Sequence, residues 1–198
     1  MKAIVLASGN AGKLRELATL LAPIGIDLIP QSAFGIETPP ETGTTFVANA
    51  LLKARYAAGV AGRPALADDS GIEVDALGGR PGVFSARYAG EGASDLANLE
   101  KMLDELRGVS RAKRTARYQC VIVLVRDAND VDPVIAHGTW EGLIATQPQG
   151  SAGFGYDPIF LPAGFDCTAA QLSPSQKNAL SHRGQALRAL VARLGSHA

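Results

Sequence analysis

The chain has little of what marks several protein classes. Two cysteines, Cys120 and Cys167, stand far apart in 198 residues, so neither a disulfide framework nor a thiolate zinc site is indicated, and both read as small apolar residues. Three histidines, His137, His182 and His197, are too dispersed for a histidine metal site. There is no excess charge: nineteen basic residues balance nineteen acidic ones. Nothing therefore draws nucleic acid or an anionic membrane to the whole surface, and any anion site has to be local. No apolar run approaches the roughly 18 residues of a membrane span. The N-terminal run Ala3 to Ala7 is too short for a signal segment and leads into a glycine turn, so a cytoplasmic protein is expected. Gly-x-Ser-x-Gly is missing, which argues against a serine nucleophile on a strand-to-helix elbow. Internal repeats and low-complexity linkers are also absent.

What is present is a core-forming α/β pattern. Hydrophobic residues make up 46% of the chain, enough for a substantial core at this length. Ala3 to Ala7 reads as a buried strand, followed by a glycine turn and a helix carrying Leu14, Leu17, Ala18 and Leu21 on one face until Pro23. Residues 26 to 30 form a second predicted strand. A helix from about Thr45 to Ala58 packs Phe46, Ala50 and Ala54, while Asn49 and Lys53 project together from another face. Leu96, Leu99, Leu103 and Leu106 mark a third helix. Tyr118 to Val125 and Val134 to Ile144 read as an antiparallel hairpin turned by Arg126 to Asp130. Ser173-Pro174-Ser175-Gln176 has the form of a capping box, and a long helix follows to about Gly195, with Gly184 as the expected point of division. Helices and strands alternating, then a hairpin, give a mixed sheet flanked by helices. The whole is expected to be a single catalytic domain, residues 1–198, with any second lobe inserted from mid-chain residues.

Four short polar segments fall at predicted element boundaries. Ser8-Gly9-Asn10-Ala11-Gly12-Lys13 is not a Walker A loop, since the spacing and the Lys-Ser/Thr ending are missing. Gly9 and Gly12 nevertheless permit close backbone approach, a helix start near Ala11 offers N–H groups, and Lys13 adds a point charge. The plainer reading is an asparagine helix cap beside a solvated lysine. Asp68-Asp69-Ser70-Gly71 follows an apolar strand. Adjacent carboxylates repel unless cations compensate them, and Mg²⁺ takes such oxygen ligands while bridging phosphates. Glu41 from an irregular loop could complete the acidic group. Because successive strand side chains point oppositely, both acids can face one ion only if the backbone turns, and Ser70-Gly71 is expected to supply that turn.

In Gly153-Phe154-Gly155-Tyr156-Asp157-Pro158, Phe154 could stack on a base and Asp157 could accept a hydrogen bond, whereas Tyr156 and Phe160 are equally core aromatics. Ser181-His182-Arg183-Gly184, with Lys177, adds cations and donors. Together the segments suit a magnesium-bound polyphosphate. The basic stretch Arg111 to Arg117 lacks interleaved aromatics and reads as a solvated loop rather than a nucleic-acid patch.

These segments, in this order over nearly the whole chain, resemble the inosine triphosphate pyrophosphatase family. The resemblance also takes in Glu41-Thr42-Gly43, Asn49-Ala50 with Lys53, and Pro81-Gly82-Val83-Phe84-Ser85-Ala86-Arg87-Tyr88. It implies Mg²⁺-dependent hydrolysis of ITP, dITP and XTP to monophosphate and pyrophosphate. It further implies an elongated mixed-sheet fold with two lobes around a nucleotide cleft, usually as a homodimer. Residue by residue, it makes Ser8, Gly9, Asn10, Ala11, Gly12 and Lys13 the triphosphate loop. Glu41, Asp68 and Asp69 become the metal-associated acids, with Asp69 as general base. Lys53, Ser70, Phe154, Gly155, Tyr156, Asp157, Lys177, His182 and Arg183 become substrate contacts. The sequence departs at Ala48, where bacterial relatives often carry Glu, and activity is expected to be retained. A noncatalytic nucleotide sensor, a nucleic-acid binder built on residues 111 to 117, and a pyrophosphatase of other preference are the competing readings. The first would not need the Asp68-Asp69 pair.

Overall fold

The computed structural model describes residues 2–195; His197 lies outside them. Six strands form one sheet in the order β2-β1-β3-β4-β5-β6. They are β1 Lys2–Leu6, β2 Ile26–Pro30, β3 Ala65–Val74, β4 Thr115–Val125, β5 Val134–Ile144 and β6 Phe160–Pro162. β1 runs parallel to β2 and β3, while β5 and β6 are antiparallel, so the sheet is mixed. Contacts climb along β4 as they descend along β5, from Arg114 with Ile144 to Arg117 with Glu141 and Gln119 with Thr139, as a hairpin requires.

Five helices accompany it: α1 Ala11–Leu21, α2 Phe46–Ala61, α3 Asp95–Glu105, α4 Pro174–Leu180 and α5 His182–Gly195. Each of the first three begins on a side-chain cap, Asn10, Thr45 and Ser94, which occupies amide donors that helix geometry leaves open. The Ser173–Gln176 capping box starts α4. The break before α5 comes at Ser181, which is extended at φ −64° and ψ 156°, rather than at Gly184, which continues in helix. In α3, Leu96 is 60% exposed while Met102 is fully buried. On a 3.6-residue turn these two flank Leu99 on opposite sides, and the apolar stripe is centred toward Met102. Among the described residues no helix is long and apolar enough to cross a membrane.

The chain forms two compact units. The first comprises the chain up to Asp69, Cys120–Gly138 and the chain from Arg183 on. Its sheet is covered on both sides. One face sets Leu6, Leu66, Cys120 and Ile122 against Leu17 and Leu21 of α1 and Leu187 and Leu190 of α5. The other sets Val5, Ala65, Ala67 and Val121 against the alanine face of α2, Ala50, Ala54, Ala57 and Ala58. Small residues on α2 let it lie close to the strands. The second unit, Ser70–Gln119 and Thr139–His182, packs Leu99 and Met102 of α3, with Leu106 just past its end, against Ile72, Val74, Tyr118, Trp140 and Phe160.

Two basic residues of the 111 to 117 stretch are structural. Arg114 is buried and donates to the carbonyls of Leu106, Val109 and Ala145. Arg117 lies on β4 and pairs with Asp75 and Glu141. The expected solvated loop is thus partly an anchor, because an arginine can satisfy several carbonyls at once where a turn leaves them unpaired.

Candidate functional site

β3 continues through Asp68-Asp69-Ser70-Gly71 without a turn, so the expected bend is not there. Strand alternation then sends the two carboxylates to opposite faces. Asp68 shares the parity of Leu66 and faces α1 and α5. Asp69 shares that of Ala65 and Ala67 and faces α2.

On the α2 face, Lys53 donates to Glu41 Oε1 at 2.6 Å and Asp69 Oδ1 at 3.2 Å. Asn49, one turn earlier, donates to Asp69 Oδ2 at 3.1 Å and accepts from the Gly43 amide at 2.8 Å. That second bond ties the loop carrying Glu41 to α2. It needs a glycine, since a Cβ at Gly43 would stand 2.6 Å from Asn49 Oδ1. Asn49, Lys53 and Asp69 are all buried. Ala48 is exposed on the same helix.

On the opposite face, Asp68 Oδ2 takes Lys13 Nζ at 3.0 Å and Arg183 Nε at 3.4 Å. Arg183, 2% exposed, also pairs with Glu16. Its guanidinium thus pairs with two carboxylates inside the first unit. In the Ser8 to Lys13 loop, Asn10 Oδ1 accepts from the Gly12 and Lys13 amides and the Asn10 amide donates to Ser8 Oγ. Those helix-start donors are therefore engaged by the cap rather than open.

Burial by itself would raise both carboxyls. At Asp68, Lys13, Arg183 and Lys53 outweigh it and hold the group well below the usual carboxylate range. At Asp69 burial, reinforced by nearby Glu41, prevails over Lys53 and Lys13, and the carboxyl is raised. Burial opposes the charge of Lys53, but Asp69, Asp68 and Glu41 more than offset it and the ammonium is raised above its ordinary value. Cys120 lies on the Asp68 face; burial, then Asp68, pushes its thiol up to about 12, so it is an inert core residue.

In the second unit Asp157 is the hub. Its Oδ2 accepts from Lys177 Nζ at 2.6 Å and from the Phe154 amide at 2.9 Å, while its Oδ1 lies 3.4 Å from the Tyr118 hydroxyl. Lys177 Nζ also sits 4.8 Å from the centre of the Phe154 ring. Gly153, at φ 80°, makes this turn possible: a Cβ there would meet Asp157 Oδ2 at 2.1 Å. Tyr118 stacks on His182 at 4.5 Å with the rings 5° from parallel. Tyr156 is core, donating its hydroxyl to the Ser85 carbonyl, and the Gly155 amide is taken by Asp95. Ser70 lies half-buried on β3. Sequence reasoning missed Glu16 and Tyr118. The first lies three residues after Lys13 on α1, and the second sits within the alternation of inward positions Ala116, Tyr118 and Cys120, signals that were present but resemble ordinary surface and core patterns.

Two clusters with distinct chemistry thus emerge, one of carboxylates matched by lysines and one of aromatics around a buried Lys–Asp pair. The chain belongs to the Ham1 family, whose profile matches residues 4–193. It is 55% identical over 196 residues to the dITP/XTP pyrophosphatase of Vibrio parahaemolyticus, covering 99% of this chain and 98% of that protein. It is 57% identical to the enzyme of the same name from Vibrio vulnificus, covering 98% and 97%. Among solved structures, a Ham1 protein from Coxiella burnetii superposes with a TM-score of 0.91 at 50% identity, covering 99% of this chain and all of that one. The Staphylococcus aureus Ham1 protein gives 0.87 at 41% identity over the full length of both.

Proposed function

We propose that this chain hydrolyses noncanonical purine nucleoside triphosphates, dITP, ITP and XTP, to the monophosphate and pyrophosphate. The observation that carries the reading is the convergence of Glu41, Lys53, Asn49 and Asp69, in a chain more than half identical to proteins named dITP/XTP pyrophosphatase.

Magnesium fits the residues present. Glu41 Oε1 and Asp69 Oδ1 already converge on one cationic point, the Lys53 ammonium. Mg²⁺ commonly uses only one or two carboxylates and otherwise water and phosphate oxygens. Glu41 and Asp69 would hold it; Asp68, on the other face, would not join them. When bound, the ion would offset phosphate charge and make its water more acidic.

Asp69, held by Asn49 and Lys53, takes the proton of the water that attacks the α-phosphorus. Lys53 and Lys13 stabilise charge developing on the phosphate oxygens. Phe154 offers a ring face to the base, and Lys177, a donor with no acceptor, favours a 6-oxo acceptor over the 6-amino donor of adenine. A mismatched contact there is worth roughly 1 to 3 kcal/mol.

Pyrophosphate release from dITP, XTP, ITP, dGTP and dATP with Mg²⁺ tests this, with hydrolysis in ¹⁸O-water alongside. The expected result is turnover of the first three with the label in the monophosphate. Nucleotide binding without turnover would replace the reading with a sensor, and label in pyrophosphate would overturn attack at the α-phosphorus. The same reading includes a cytoplasmic homodimer, for which light scattering and cell fractionation are the checks.

A further inference from the structure

The charges on the Asp68 face form an alternating chain: Glu16, Arg183, Asp68, Lys13. Its inner members are sealed, with Asp68 and Arg183 side chains 0% and 2% exposed, while the Lys13 side chain at one end is 14% exposed. Both cations bind the same oxygen, Oδ2, and Oδ1 is buried without a hydrogen-bond partner. Asp68 therefore presents no accessible oxygen to a ligand. Its carboxylate is fixed in the sheet by β3 and from behind by Arg183, which Glu16 holds in turn. A lysine has a flexible four-carbon stem. Fixing its charge before a phosphate arrives reduces the ordering that binding would otherwise demand.

We infer that Asp68 and Arg183 are positioning residues that act through Lys13, setting its ammonium at the end of the Ser8 to Lys13 loop for the polyphosphate of the substrate, and that Asp68 is not a metal ligand. The inference rests on the pyrophosphatase reading above and assigns the second acid of the pair to a different task from Asp69.

A double-mutant cycle decides it. kcat/KM for dITP is measured for the wild type, Lys13→Ala, Asp68→Asn and the double variant, with the Mg²⁺ concentration for half-maximal rate in each. Asp68→Asn is expected to lower kcat/KM on the order of 10- to 100-fold in the wild-type background. In the Lys13→Ala background it should cost less than about twofold, because a residue acting through Lys13 has nothing left to act on. The Mg²⁺ requirement should stay where it is. Persistence of the full factor without Lys13, an unchanged kcat/KM in a merely less stable Asp68→Asn protein, or a large rise in the Mg²⁺ requirement would each overturn the inference.

Should Asp68→Asn not fold, Glu16→Gln at the far end of the chain takes its place in the cycle. It is expected to give a loss of a few-fold, about 2 to 5, that vanishes with Lys13→Ala; a loss that persists contradicts the inference. Binding of inorganic tripolyphosphate by calorimetry, run as the same cycle, needs no turnover. A wild type that binds it but leaves dITP intact removes the pyrophosphatase reading, and the cycle on binding still decides the role of Asp68. A wild type that does neither overturns both.

Discussion

Asp68 and Asp69 are joined by a peptide bond and share a residue type, yet they lie in opposite electrostatic surroundings. One faces α1 and α5, where Lys13 and Arg183 converge on it; the other faces α2, where one lysine is divided between it and Glu41. The first is driven strongly toward its charged form and the second is held back from it. A two-residue period in a strand is enough to produce this, because each face meets a different helix. The lesson concerns division of labour. A carboxylate fully matched by cations is a fixed structural charge, whereas one kept short of cations retains affinity for a proton or a metal ion.

The largest effect that would break this contrast is on folding. Asp68→Asn leaves the buried Arg183 short of a partner and should destabilise the protein by about 3 to 5 kcal/mol in urea unfolding; a change under about 1 kcal/mol would mean that Asp68 is not the anchor of its face. On the other side, Lys53→Met removes the shared cation. It should lower kcat on dITP by on the order of 10²-fold, and an unchanged kcat would show that Glu41 and Asp69 work without it.

The pH dependence sharpens the contrast further, in protein freed of metal. The folded Asp68 carboxyl lies below its ordinary 3.8, so its stabilising contribution is present above that value and is lost as pH falls. The folded Asp69 carboxyl lies above 3.8, so its contribution is present below that value and is lost as pH rises through the folded value. Relative to the wild type, Asp69→Asn should therefore gain stability as pH climbs above about 4, whereas Asp68→Asn should fall behind as pH climbs toward about 4 and keep a constant deficit above it. Urea midpoints over this range that moved in parallel would remove the distinction. The smallest expected effect is Asn49→Ala, which cuts two hydrogen bonds around Asp69 and the Gly43 loop and should cost about 1 to 3 kcal/mol of stability.

Much of this was readable from local signals. Asn10, Thr45 and Ser173 marked helix starts, and Ala50 and Ala54 marked the packed face of α2, because caps and periodicity act within a few residues. The pairing of Asn49 with Lys53 on one helical face was also legible, since they stand four apart. The path of β3 was not. Asp-Asp-Ser-Gly has the composition of a turn, and only long-range charges from Lys13, Lys53 and Arg183 make an extended, buried course through two aspartates tolerable. Arg114 was misread as solvated for the same reason: whether an arginine is solvated or buried depends on carbonyls far away in the chain. The break before α5 was expected at Gly184 on intrinsic propensity, yet tertiary context keeps that glycine helical and extends Ser181 instead.

The most direct test is Asp69→Asn, with kcat on dITP and urea stability at neutral pH measured on the same preparation. The expected outcome is a loss of turnover of about 10²- to 10⁴-fold with stability equal to or above that of the wild type. Turnover that survives the substitution, or a loss explained by unfolding, would contradict the assignment of Asp69 as the base and with it the division between the two faces of β3.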